Sequence, residues 1–137
     1  MTRINVIDPR ELTDQHLMAE YRELPRVFAL SRAALDRNVN APKNYTMGTG
    51  HVKFFYDKTP WLAQRHSLIV NELKRRGYNL GLTLSLVPVE GYAPSDWSPS
   101  PADVEVNMER LRLRLREKNG AFYTHYKQPV GMDFYGG

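Results

Sequence analysis

Between Gln15 and Phe28 the chain reads QHLMAEYRELPRVF, and the spacing of its apolar residues leaves few options for how this stretch can fold. Leu17, Tyr21, Leu24 and Phe28 follow one another at steps of four, three and four, which puts their side chains in one stripe along a helix. Gln15, Ala19, Arg22 and Arg26 repeat the spacing on another face, and His16, Glu20 and Glu23 form a row between the two. That row sets Glu23 beside Arg22 and Arg26; as exposed ion pairs such contacts are worth only ~0–1 kcal/mol each. Pro25 falls inside the pattern, where it removes a backbone donor and crowds the carbonyl of Tyr21 at a cost of ~3 kcal/mol. The stripe nevertheless continues in phase beyond it. The expectation is a helix capped by Thr13, kinked at Pro25 and running to about Arg37, with Asp36, Asn38 and Asn40 at its end.

Two further helices follow from the same reasoning. Thr59-Pro60 reads as N-cap and first helical residue of a segment with Leu62, His66, Ile69 and Leu73 on one face, stopped at Gly77 after the basic cluster Lys74-Arg75-Arg76. Ser100-Pro101-Ala102-Asp103 opens the last helix, whose core stripe is Val104, Met108, Leu111 and Leu115 and whose basic stripe is Arg110, Arg114 and Lys118, closed by Gly120. Phe54, Phe55 and Tyr56 in the compact run His51 to Lys58 read as core, on a strand or buried loop, with His51 as a structural histidine rather than a ligand contact. From Tyr78 to Pro99 prolines and serines break the chain, and Leu80, Leu82, Leu84 and Leu86 alternate without a partner strand, as extended chain laid across the helices. The architecture expected is all-α, with three main helices and long irregular loops in a single compact domain spanning residues 1–137.

Composition narrows the function classes. The 137 residues are 42% hydrophobic, enough for one core, and no apolar run is long enough to span a bilayer. The first residues lack the apolar segment of a secretory signal, and zero cysteines exclude a disulfide framework or a thiolate metal site; both fit a reducing, intracellular, cytoplasmic setting. The net charge of +4 suits a polyanionic partner without requiring one.

Both ends of the chain carry candidate chemistry. A small residue at position 2 favours removal of Met1, which would expose the α-amine of Thr2. Such an amine, with a reference pKa of ~7.7–8.0 against ~10.4 for lysine, is partly neutral and nucleophilic near pH 7. The tail Phe122-Tyr123-Thr124-His125-Tyr126-Lys127 packs rings and cations together, either to seal the core or to present a stacking surface, where each base–aromatic contact is worth ~1–3 kcal/mol.

Thr2-Arg3-Ile4-Asn5, Asp14-Gln15-His16-Leu17-Met18-Ala19-Glu20-Tyr21-Arg22-Glu23-Leu24, Gly50-His51-Val52 and Phe54-Phe55-Tyr56-Asp57-Lys58 closely resemble the endonuclease V type of pyrimidine-dimer DNA glycosylase. The likeness continues through Leu73 to Asn79, Arg114 to Lys118 and Phe122-Tyr123, and departs from the family at Thr124 and His125. The resemblance implies a bifunctional glycosylase and abasic-site lyase acting on damaged double-stranded DNA, needing no metal or organic cofactor, no membrane and no obligate protein partner, and working as a monomer. It implies that the Thr2 amine is the nucleophile and Glu23 the catalytic carboxylate. By the same mapping Arg3, Gln15, His16, Arg22, Arg26, Arg114 and Lys118 approach the DNA, with Tyr123 and Tyr126 from the tail. Glu20 carries no role in this mapping, and its replacement is expected to be mild. Two alternatives stand beside this reading: a non-catalytic damaged-DNA-binding module, and the same mechanism directed at another base lesion.

Overall fold

A computed structural model of the chain describes residues 3–81, 85–93, 96–118 and 122–136. Among the described residues four helices carry the fold: α1 (Asp14–Asp36), α2 (His51–Phe54), α3 (Thr59–Arg75) and α4 (Pro101–Glu117). A short 3-10 turn (Pro9–Glu11) precedes α1, and two-residue strands β1 (Thr124–His125) and β2 (Gln128–Pro129) form an antiparallel hairpin after α4. The all-α expectation holds apart from this hairpin.

Helix α1 starts where its sequence says it should, with the Thr13 hydroxyl accepting the His16 N–H. It passes through Pro25 without ending, because the apolar stripe on both sides of the proline is buried in the same core: Leu17, Leu24, Val27 and Phe28 are all covered. Its end is a left-handed cap at Asn38 (φ 57°), with the Asn38 and Val39 amides donating to the carbonyls of Leu35 and Ala34. Gly77 (φ 90°) does the same for α3, where Gly77 and Tyr78 donate to Lys74 and Leu73.

Two local expectations are corrected. The run beginning at His51 is neither strand nor loop but one helical turn, α2, entered through left-handed Gly50. Thr59 is not the cap of α3; Lys58 occupies that position, and the buried Thr59 hydroxyl instead accepts the Val89 amide at 2.9 Å, fastening the long connection to the helix. The same connection crosses α1 so closely at Gly91 (φ 118°) that a Cβ there would lie 2.4 Å from Leu35. Leu80, Leu86, Val89 and Trp97 pack on the core as that segment was expected to do, whereas Leu82 and Leu84 lie outside the described residues. Helix α4 opens with a full capping box, Ser100 and Asp103 exchanging side-chain and backbone hydrogen bonds at 3.0 and 3.1 Å. Gly120 lies outside the described residues.

Helices α1 and α3 pack against each other. An aromatic cluster of Tyr45, Phe54, Phe55, Trp61 and Trp97, with ring centroids 4.9 to 6.0 Å apart, closes the α2 end of the core. The start of the chain is an integral part of this core rather than a loose arm: Ile4, Asn5, Val6 and Ile7 are buried between α1 and α4.

Candidate active site

Buried backbone needs hydrogen-bond partners, and residues 3 to 7 have no neighbouring strand to supply them. Side chains do so instead. The Arg3 amide donates to Glu23 Oε2 at 3.2 Å, the Ile4 amide to His51 Nε2 at 2.7 Å, and the Val6 amide to Asn107 Oδ1 at 2.7 Å. The Ile4 carbonyl accepts from the Tyr45 hydroxyl at 3.3 Å, and the Ile7 carbonyl from Arg65 at 2.7 Å. His51 must use Nε2 as acceptor, so its proton sits on Nδ1 and is donated to the Thr46 carbonyl 2.7 Å away. Burial lowers the His51 pKa to about 4, against the opposing effect of the Thr46 bond, and Arg3 and Arg110 add to the lowering.

Behind this segment lies a buried polar network. Glu20, 1% exposed, receives both Nε and Nη2 of Arg65 together with Asn5 Nδ2 at 2.9 Å, and Asn5 Oδ1 in turn accepts from Asn107 at 2.8 Å. Glu20 is thus a fully bonded internal anion. The expectation that its loss would be mild is overturned, since removing one partner of such a pair strands the other in the interior.

In front of the segment is a recess of about 280 Å³, lined by Arg3, His16, Ala19, Glu23, Arg114 and Tyr123, with Asn5, Glu20, Met47, Arg110 and Leu111 completing it. Glu23 is half-buried there. Among the described residues it forms no ion pair with Arg22 or Arg26, which are both exposed on α1. The reason is angular: the row of His16, Glu20 and Glu23 faces the chain start, while Arg22 and Arg26 point outward. Its positive neighbour is Arg3, whose guanidinium is held by the Met47 carbonyl at 2.6 Å. Burial, then Arg110 and Arg114, lower the pKa of Arg3, and Glu23 opposes them.

His16 is held from two sides. Its Nδ1 lies 2.9 Å from the Thr13 hydroxyl and 2.8 Å from the Tyr135 hydroxyl, and its ring lies 4.8 Å from that of Tyr123. Burial, then the charge of Arg114, lowers its pKa to about 4, leaving a neutral imidazole on the recess wall at pH 7.

The other residues expected at the site fall in different places. Arg114, which lines the recess and lies 3.5 Å from Glu117, is exposed, as is Lys118 at the end of α4. Gln15 is exposed but engaged, exchanging hydrogen bonds with Thr124 at 2.8 and 3.1 Å. Tyr126 does not line the recess: its hydroxyl donates to Glu72 and its ring lies under the Arg76 guanidinium at 4.8 Å. Thr2 lies outside the described residues. Among the described residues no group of three or more histidine or acidic side chains could hold a metal ion. Asn5, Asn107 and Arg65, which build the buried network around Glu20, carried no role in the sequence reading, because a buried polar side chain has no periodicity of its own. Arg110 did carry one, through its place in the basic stripe of α4.

A family model described as pyrimidine dimer DNA glycosylase matches residues 1–85. The match includes the chain start, all of α1 with Glu23, the His51 turn and α3.

Proposed function

Because the chain belongs to the pyrimidine dimer DNA glycosylase family, we propose that it excises the damaged base with the α-amine of Thr2 and then cleaves the strand as an abasic-site lyase. The reading is supported by one contact above all: the Arg3 amide sits on Glu23 Oε2 at 3.2 Å, so the nucleophile proposed is one residue from an atom bonded to the proposed catalytic carboxylate. Once Met1 is removed, the amine lone pair forms a bond to the anomeric carbon of the damaged nucleotide. The bond to the base breaks with its electron pair going to the base, and opening of the sugar ring leaves an imine joining protein and DNA. The carboxylate of Glu23 opposes the positive charge on sugar and imine. Removal of a proton from the neighbouring carbon then lets the 3′ phosphate leave, which breaks the strand.

In this reading Arg3, Arg114 and the exposed Arg22, Arg26 and Lys118 neutralise phosphates around the lesion and orient the duplex without reading its sequence. Tyr123, packed at a tilt against His16 at the recess wall, offers a ring to an extruded nucleotide. Gln15 and Tyr126, whose polar atoms are taken by Thr124 and Glu72, serve by holding the hairpin that carries Tyr123. The substrate is duplex DNA bearing cyclobutane pyrimidine dimers. The test is a cleavage assay on matched duplexes with and without one defined dimer, scored for glycosidic cleavage, read as base freed after photoreversal of the dimer, and for strand scission. Both products from the dimer duplex alone support the proposal. Binding without either product would leave a damaged-DNA-binding module.

A further inference from the structure

The recess that holds Glu23 is not the only cavity on this side of the molecule. A groove of about 670 Å³ lies next to it, lined by Thr46, Gly48, Val106, Glu109, Arg112 and Arg116. Met47 and Arg110 line both, so the side chain of Arg110 stands on the wall between them. Three observations bear on Arg110. Its Nε is buried and has no hydrogen-bond acceptor. No carboxylate lies within ion-pairing distance of it among the described residues, whereas Arg112 is paired with Glu105 at 2.8 Å and Arg114 with Glu117 at 3.5 Å. Its charge is close enough to Arg3 to lower that group's pKa, alongside the charge of Arg114.

A buried donor without an acceptor is costly, and three guanidinium groups converging on one rim repel one another. An anion with several acceptor oxygens, held by the guanidinium groups at the cavity wall, relieves that repulsion. The groove gives that anion a path, since it leads from the Glu23 recess along α4 past Arg112 and Arg116, with three arginines against the single carboxylate of Glu109 among otherwise uncharged residues. A nucleic-acid backbone has the required chemistry: regularly spaced phosphates, each able to accept two hydrogen bonds from one guanidinium.

We infer that Arg110 is a phosphate-binding residue of the DNA site, taking a backbone phosphate at the junction of the two cavities and directing the strand from the Glu23 recess into the adjoining groove. This rests on the proposed function in that the polyanion is duplex DNA, and the contact is one of positioning, not of chemistry.

The test is the salt dependence of equilibrium binding to an undamaged duplex, measured for the wild type, Arg110→Gln, Arg110→Lys and, as a control for net charge, Arg37→Gln at the far end of α1. Each phosphate contact contributes about 0.9 to the slope of log K against log salt. Arg110→Gln is expected to make the slope shallower by about one, Arg110→Lys to restore it, and Arg37→Gln to leave it unchanged. A slope for Arg110→Gln equal to that of Arg37→Gln overturns the inference, as does a failure of Arg110→Lys to recover it. Covalent trapping by hydride reduction on dimer-containing DNA, run in parallel, separates the two proposals. A trapped complex with an unmoved slope removes the Arg110 contact alone. A shallower slope with no trapped complex, even for wild type, keeps the contact and removes the imine chemistry.

Discussion

Glu20 and Glu23 stand less than one turn apart in the same row of α1, yet the fold gives them opposite surroundings. Glu23 opens on the recess and accepts a single backbone amide from Arg3, which leaves most of its lone pairs for chemistry. Glu20 spends its oxygens on Arg65 and Asn5. Replacement by glutamine should therefore fail in two different ways. Glu23→Gln keeps size and helix but removes the charge facing the cationic sugar, so single-turnover cleavage of a dimer-containing duplex should fall ~100–1,000-fold while equilibrium binding to it holds or tightens. Cleavage at the wild-type rate, or equal losses of binding and cleavage, would make Glu23 a structural residue. Glu20→Gln leaves Arg65 uncompensated in the interior and should lower stability by ~3–5 kcal/mol, read as a lower midpoint in urea with binding to DNA affected only through the folded fraction. The sequence placed both glutamates in one helical row but could not divide their roles. That division depends on Arg65 arriving from α3 and Asn5 from the chain start, and neither contact has a sequence spacing that announces it.

At the scale of elements, helices were legible and the pieces between them were not. The stripe from Leu17 to Phe28 and the capping residues Thr13, Ser100 and Asp103 mark helices because repeat and cap are local properties. The extended start of the chain is held by partners up to 102 residues away, as in the Asn107 to Asn5 bond, and the turn of the terminal hairpin is held by one distant carboxylate. Its turn residues Tyr126 and Lys127 are both left-handed, at φ 52° and 65°, a geometry that these side chains adopt at a cost. Asp14 offsets that cost: its carboxylate accepts the Tyr126 and Lys127 amides at 3.2 and 2.8 Å, the Thr124 hydroxyl at 2.6 Å and Arg76 at 2.9 Å. The threonine that departs from the family pattern thus has a defined structural task. Arg76, read from the sequence only as part of a basic cluster at the end of α3, is buried and also donates to the carbonyls of Pro9, Arg10 and Leu12. Asp14→Asn cannot serve all four donors. Hydrogen exchange of the Tyr126 and Lys127 amides should accelerate at least tenfold in this variant, with the exchange of α3 little changed. Unaltered exchange at those two amides would show that the hairpin stands without Asp14.

Across the whole molecule, the start of the chain, α1, α4 and the hairpin meet at one recess, and their joint stability has a definite pH dependence. His16 and His51 both titrate at about 4 in the folded protein, burial being the main cause, and His66 is also lowered by burial. An unfolded histidine titrates near 6.5, so between those values the unfolded chain binds more protons than the folded one. The contribution of neutral histidine is therefore complete above about pH 6.5 and declines as the pH falls toward 4. For Asp14 and Glu72 burial pushes the carboxyls up, but the bonds from Thr124, Lys127, Tyr126 and Arg76 overcome it and leave both lowered, extending the loss to still more acidic pH. The thermal midpoint should fall from pH 6.5 to 4, and His51→Gln should flatten part of that fall; a midpoint constant over this range would contradict the burial of both imidazoles. Protonating His51 would also set a second donor against the Ile4 amide and loosen the chain start just behind Thr2. The central claim is that this start delivers a free α-amine to damaged DNA beside Glu23. Its most direct measurement is hydride trapping of the protein on a dimer-containing duplex, after intact mass has verified removal of Met1, with the cross-linked peptide located by sequencing. The account expects one covalent complex, attached through the nitrogen of Thr2 and absent with undamaged duplex. Attachment through a lysine, or no complex from protein whose Thr2 is free, would contradict it.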